Sequence, residues 1–229
     1  MAVVKTLATY ELVQRLFPRP VTERDELGMA IGKAIDSSLS RFSHEASLNR
    51  RPTMASANKY ATSVLDEELG DAHLELTAGE REKTLKQISA VLSAFRRSEL
   101  FGLGRPRSRL ILINGAVGVY AQPDFWNGKD HFYEMKSYRA VPIPADVELQ
   151  LRMFQLAFPG FVASLVCFNR HSEPVEVSST QVAPPESVEL QRLLRQAYTE
   201  GSQHGTEKVL EYVDSPIVSY TIAVPAVGR

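Results

Sequence analysis

Asp124 follows Gln122-Pro123 at the end of an apolar run, and Glu134-Met135-Lys136 lies one hairpin further on, so a single chain reversal brings together two carboxylates and an ammonium. Side chains alternate along a strand, which puts Glu134 and Lys136 on one face and turns Met135 toward a core. The face of Asp124 depends on the turn. A two-residue Asn127-Gly128 loop pairs Asp124 with His131 and sets it on the wrong side. A three-residue Trp126-Asn127-Gly128 loop, with Gly128 left-handed at a bulge, pairs it with Asp130 and returns it to the face of Glu134 and Lys136. Two carboxylates beside an open space suit Mg²⁺ or Mn²⁺, hard cations that keep water and take phosphate oxygens as further ligands. A lysine next to them is placed to orient or deprotonate a water and to stabilise charge on a phosphate, which is the chemistry of phosphodiester hydrolysis. The competing reading is a surface strand with cross-strand ion pairs.

Three segments carry a family resemblance. Gly118-Val119-Tyr120-Ala121-Gln122-Pro123-Asp124, then Phe132-Tyr133-Glu134-Met135-Lys136-Ser137-Tyr138, then Glu148-Leu149-Gln150-Leu151-Arg152-Met153-Phe154 resemble the second, third and fourth motifs of PD-(D/E)XK nucleases. The similarity is to the RecB-like branch that includes CRISPR-associated exonucleases. That pattern ends with a glutamine and an aromatic four residues on along a helix, reproduced by Gln150 and Phe154 with Phe in place of the usual Tyr. The resemblance covers residues 109–170 and extends more loosely over 7–42. It implies that Asp124 and Glu134 bind metal with the Met135 carbonyl as a further ligand, that Lys136 is catalytic, and that Gln150 helps position the site.

The family's first motif, a glycine with a histidine or acid four residues later on a helix, resembles Gly32-Lys33-Ala34-Ile35-Asp36. By that resemblance Asp36 faces the metals and Gly32 lets the helix approach the sheet. The usual histidine is missing, and the other reading of Asp36 is a solvated residue on an amphipathic helix. The opening, Thr9 to Phe17 followed by Pro18-Arg19, is similar to a family segment in which many members carry an iron–sulfur cysteine before Pro-Arg. Phe17 holds that position and Cys167 is the chain's one cysteine, so no four-cysteine iron–sulfur cluster is expected.

The elements that must position these residues follow from periodicity. Tyr10 to Leu16, Glu26 to Phe42, Ala55 to Leu69 and Gly79 to Phe101 read as helices, a mainly helical lobe over residues 1–100. In the second, Ile31, Ile35, Leu39 and Phe42 form an apolar stripe, opposite a column of Gly28, Gly32, Asp36 and Ser40 that suits a close helix–backbone crossing. From Arg109 the period changes. Arg109 to Asn114, Val117 to Phe125 and Asp130 to Tyr138 read as hairpin strands, Ala145 to Phe158 as a helix, and Phe161 to Asn169 as a strand covered on both faces. Val175 to Gln181 and Ile217 to Val224 add strands, and Val188 to Tyr198 and Thr206 to Val213 add helices. The expected whole is one nuclease-like α/β domain over 1–229, with a restriction-endonuclease-like mixed central sheet flanked by helices and an N-terminal helical lobe.

At 229 residues, 44% hydrophobic and 23% charged, the chain has the balance of a globular protein with one sizeable core. A formal net charge of −1 gives no overall field for a polyanion, so any contact with DNA must come from charge segregation. The segment from Leu65 to Glu80 carries six acids and no Lys or Arg, and Arg81 to Arg109 carries eight Lys or Arg against two acids. That strip, with Arg139, supplies candidate phosphate contacts at Arg96, Arg97, Arg105, Arg107 and Arg139, set against the plainer reading of a solvated helix face. The glycine-rich Gly102 to Arg107 reads as a basic loop over DNA backbone or as a simple connector. Cys167 reads as a buried hydrophobe, and the five histidines show no metal-ligand spacing. No signal peptide or membrane span is apparent, and the expected compartment is cytoplasmic. The expected function is a Mg²⁺- or Mn²⁺-dependent deoxyribonuclease acting on DNA, a single strand among its possible forms, with protein partners or a homo-oligomer open. The alternative is a nuclease-like fold that holds DNA or a protein without cutting.

Overall fold

The computed structural model describes residues 2–18, 22–48, 50–138, 140 and 142–223, apart from the side chains of 23, 24 and 212. Arg19, Arg139 and Val224 lie outside the described residues. In chain order the elements are β1 (Val3–Ala8), α1 (Thr9–Leu16), α2 (Glu23–Ser47), α3 (Met54–Asp71), α4 (Ala78–Arg96), β2 (Arg109–Ile113), β3 (Val117–Ala121), β4 (Phe125–Trp126) and β5 (His131–Lys136). Then come α5 (Ala145–Ala157), β6 (Val162–Asn169), β7 (Glu176–Val182), α6 (Ser187–His204), β8 (Thr206–Val209), a 3₁₀ turn (Leu210–Tyr212) and β9 (Ile217–Tyr220).

The architecture is mixed α/β of the restriction-endonuclease-like kind, with its strands in two mixed sheets. One has the order β8-β1-β3-β2-β9 and the other β4-β5-β6-β7. The break between them falls at Gln122-Pro123, where the chain leaves β3 and bends into β4; a proline has no N–H to continue a ladder. β5 and β6 run parallel and are joined through α5, while β4–β5 and β6–β7 are antiparallel.

Two expected features are corrected. The first hundred residues, mainly helical, open with a strand that periodicity did not mark, Val3–Ala8, paired in parallel with β3 and antiparallel with β8. For the same reason Thr206–Val209 is strand rather than helix.

Two cores lie on the two faces of β5 and β6. Leu12 of α1 joins Phe154 of α5 and Phe158 just after it, Leu193 and Leu194 of α6 and Ile111 and Val119 of the first sheet, together with the side chains of Phe132, Leu165 and Cys167. On the other side of β5 and β6, the stripe Ile31, Ile35, Leu39 and Phe42 packs with α3 and α4 over Tyr133, Met135, Val166 and Phe168. Thr22, Thr53 and Thr77 cap the three helices of that layer through capping boxes. The glycine column of α2 makes no tight crossing: a Cβ at Gly32 would meet nothing within 4 Å, and one at Gly28 would meet only Arg170 Nη2 at 3.8 Å. The close helix–strand contact is elsewhere, at Gly201 of α6, where a Cβ would run into Val117 of β3. Among the described residues no helix is long and apolar enough to cross a membrane.

Candidate active site

The turn that decides the face of Asp124 is neither of the two expected loops. β4 and β5 pair Phe125 with Tyr133 and Trp126 with Phe132, and Asn127 N–H donates to the His131 carbonyl at 3.0 Å. Gly128-Lys129-Asp130 therefore forms the loop, with Gly128 at φ 77° as its left-handed residue. Asn127 Oδ1 fixes this longer turn by accepting from the N–H groups of Lys129, Asp130 and His131. Continued backward, this register sets Asp124 opposite Glu134, so the carboxylates share a face. His131 falls on the face of Tyr133, stacks on that ring at 4.3 Å and shares a hydrogen bond with Ser164 Oγ.

Pro123 has a second consequence. The Asn127–His131 bond makes the odd positions the hydrogen-bonded pairs, so the next such pair would be Pro123 with Met135. Pro123 cannot donate, and the ladder stops. The Met135 N–H is taken instead by Asp124 Oδ2 at 2.9 Å. In an extended strand a residue's N–H and C=O point to the same side, so the Met135 carbonyl opens toward the same edge as Asp124, opposite a residue with no N–H to give it.

Asp124 and Glu134 are 7% and 3% exposed. Lys136 Nζ donates to Glu134 Oε1 at 2.7 Å and to Gln150 Oε1 of α5 at 3.2 Å. Arg105 Nη2 lies 3.4 Å from Asp124 Oδ1. Glu134 Oε2 is buried and has no hydrogen-bond partner among the described residues. Half-buried Asp36 reaches the same cleft from α2, and the lining of its roughly 590 Å³ also includes Thr9, Tyr10, Ser108, Tyr120, Gln122 and Phe154.

Crowding of acids sets the electrostatics. Burial, then the Asp124 carboxylate, pushes Asp36 up to about 7 against the pull of Lys136 and Arg105. Burial and Asp124 likewise push Glu134 up to about 8, despite its Lys136 partner. Burial opposes the charge of Lys136, but the carboxylates of Glu134 and Asp124 outweigh it and hold this ammonium above the ordinary lysine value. Among the described residues no three His, Cys, Asp or Glu side chains form a ready-made metal cage. A cation here would have to complete its shell with backbone oxygen, water or substrate, the habit of Mg²⁺.

The cleft thus gathers Asp36, Arg105, Asp124, Glu134, Lys136 and Gln150. The basic strip otherwise disperses. Arg81 pairs with Asp66 at 2.7 Å, Lys86 with Glu82 at 2.7 Å, and Arg109 lies against Phe158 and donates to the Ala157 carbonyl. Arg96, Arg97 and Arg107 are exposed and outside the cleft lining. Arg105 differs because its loop is pinned: Trp126 N–H donates to the Gly104 carbonyl and Gln122 Nε2 to that of Pro106, at 3.0 and 2.9 Å. Ala8, Thr9 and Tyr10 are lining residues that sequence reasoning missed, because the strand that delivers α1 to the cleft was not visible; Tyr120 lies on a strand that was read but was not singled out.

No family model and no curated protein matches the chain. Among solved structures it is similar to LHK-Exo, an alkaline exonuclease from Laribacter hongkongensis, at 16% identity over 75% of this chain and 92% of that one, with a TM-score of 0.36. It is also similar to a candidate exonuclease from Eubacterium rectale, at 11% identity over 86% and 92% with a TM-score of 0.42. For SSO0001 the identity is 14% over 86% and 84%, with a TM-score of 0.35. Likeness at this level carries no argument about activity, which has to come from the residues of the cleft.

Proposed function

We propose that this chain is a divalent-metal-dependent nuclease of RecB-like type that hydrolyses DNA phosphodiester bonds. The observation that carries the reading is the buried pair Asp124 and Glu134 on one strand face, with Glu134 Oε2 unpartnered and Lys136 bound to the other oxygen. A buried carboxylate oxygen without a donor is costly unless a cation completes it, and the acids already repel one another. Mg²⁺ or Mn²⁺ fits this donor set: Asp124 and Glu134 would hold it with the Met135 carbonyl and, from α2, Asp36. When bound, such an ion offsets the charge of the phosphate and makes a water more acidic.

The chain's own groups do the rest. Lys136, bound to Glu134 and Gln150, is placed to orient the attacking water and to donate to the phosphate oxygens as charge develops. Gln150 Oε1 holds Nζ over the carboxylates, fixing where that charge sits. Arg105, anchored beside Asp124, is placed to meet a backbone phosphate at the rim. Arg96, Arg97 and Arg107 would then act at longer range, as charges on the approach surface. The carboxylates are buried, which suits an unpaired strand better than an intact duplex.

The test is cleavage of single-stranded DNA, duplex DNA and RNA with Mg²⁺, Mn²⁺, Ca²⁺ or EDTA. Metal-dependent cleavage that Glu134→Gln abolishes supports the reading. Binding without cleavage of any form under every metal makes the chain a nucleic-acid-binding module instead.

A further inference from the structure

We infer that Tyr10 is the stacking platform for the base of the nucleotide held in the cleft, an inference that rests on the nuclease reading above. Three aromatic side chains line the cleft, and two are already engaged. Phe154 is 2% exposed and packs edge-on to Phe132 at 6.1 Å. The ring of Tyr120 is covered by the Lys208 ammonium, 4.9 Å from its centroid. Tyr10 is 61% exposed, and among the described residues no ring or cation lies against it.

Its backbone is nonetheless rigidly held. β1 pairs with β3 up to Ala8, Glu11 Oε2 accepts from the Ala8 N–H at 2.7 Å, and buried Thr9 donates through Oγ1 to the Tyr120 carbonyl at 2.7 Å. An open aromatic face on a fixed backbone binds at little conformational cost. The lining also divides by chemistry, with Arg105 and Lys136 as cations and Tyr10 as the free aromatic. A nucleotide has the matching two parts: its phosphate is met by the cations and its base by the ring. Every base has a π-face, so this contact holds the strand without choosing a sequence.

The test uses the full chain in Ca²⁺ with single-stranded DNA oligonucleotides carrying 2-aminopurine at the 5′ or the 3′ terminal position, read by fluorescence quenching. Wild type should quench one of the two. Tyr10→Ala should lose that quench and bind about 5- to 150-fold more weakly, whereas Tyr10→Phe should retain both. An abasic nucleotide at that position should weaken wild type equally and add nothing in Tyr10→Ala. Wild-type affinity and quench in Tyr10→Ala, or a Tyr10→Phe that fails as Ala does, overturns the inference while leaving metal-dependent cleavage standing. A wild type that neither binds nor cuts any nucleic acid overturns both.

Discussion

Asp36→Asn tests the electrostatics of the cleft without removing volume. The Asp36 carboxyl is pushed from its ordinary value of 3.8 to about 7, first by burial and then by Asp124. Between those values the folded protein holds a proton that the unfolded chain has released, so metal-free stability falls as pH rises, at up to about 1.4 kcal/mol per pH unit. Below the lower value both states are protonated and nothing is lost; above the upper value the loss is complete. The full interval would give about 4 kcal/mol, and discounting for partial exposure of the side chain and its coupling to Asp124 leaves about 2 kcal/mol. Asparagine has no proton to lose. At pH 8 without metal, Asp36→Asn should therefore be more stable than wild type by about 2 kcal/mol, or about 4–8 °C in Tm for a chain of this size. At pH 4 the two should melt together. The slope that remains in the variant between about pH 4.5 and 8 belongs to Glu134, raised from 4.5 to about 8.

The same substitution should cost function. With Asp36 among the residues that would hold the cation, the rise in Tm expected of wild type with saturating Mg²⁺ should shrink in Asp36→Asn, because ligand stabilisation follows the logarithm of affinity. Thermal melts at pH 4, 6 and 8, with EDTA or Mg²⁺, provide both readouts. An Asp36→Asn protein less stable than wild type at pH 8 in EDTA, or with an unchanged pH slope, would refute the electrostatic account of the cleft.

Lys136→Ala should lower single-turnover cleavage by about 10²–10³ at saturating protein while metal binding survives; cleavage at the wild-type rate removes Lys136 from the reaction. Crystals grown with Mn²⁺ should place the ion about 2.0–2.3 Å from Asp124 and Glu134 oxygens, and an ion bound elsewhere would contradict the donor set. Arg105→Ala should reduce the slope of log affinity against log salt by about 1, more than Arg96→Ala or Arg97→Ala, as fluorescence anisotropy over a salt series would show. Gly201→Ala, which drives a methyl into Val117, should destabilise the fold by about 1–3 kcal/mol in urea melts without touching the cleft.

What the sequence reveals of this site is what local rules can carry. Alternation along one strand places Glu134 and Lys136 together, and helical spacing places Gln150 and Phe154 on one face of α5. The turn is less legible, because Asn127-Gly128 suits several loops equally well; the outcome rests on one Asn127 oxygen gathering three N–H groups. Strand β1 leaves a weaker local mark, since Val3–Ala8 becomes a strand through partners more than a hundred residues away in β3 and β8. Missing β1 hides the delivery of Thr9 and Tyr10 to the cleft. Charge runs mislead for the same reason: Arg81 belongs to a basic segment in sequence, yet in space it sits on Asp66. Arg105, in the same segment, reaches the acids because Gly104 and Pro106 are bound to a bend that Pro123 creates. Pro123 thus links the levels. A residue with no N–H leaves the Met135 carbonyl without its ladder donor and stops the β4–β5 ladder, while the Met135 N–H donates to Asp124 and holds that acid facing Glu134.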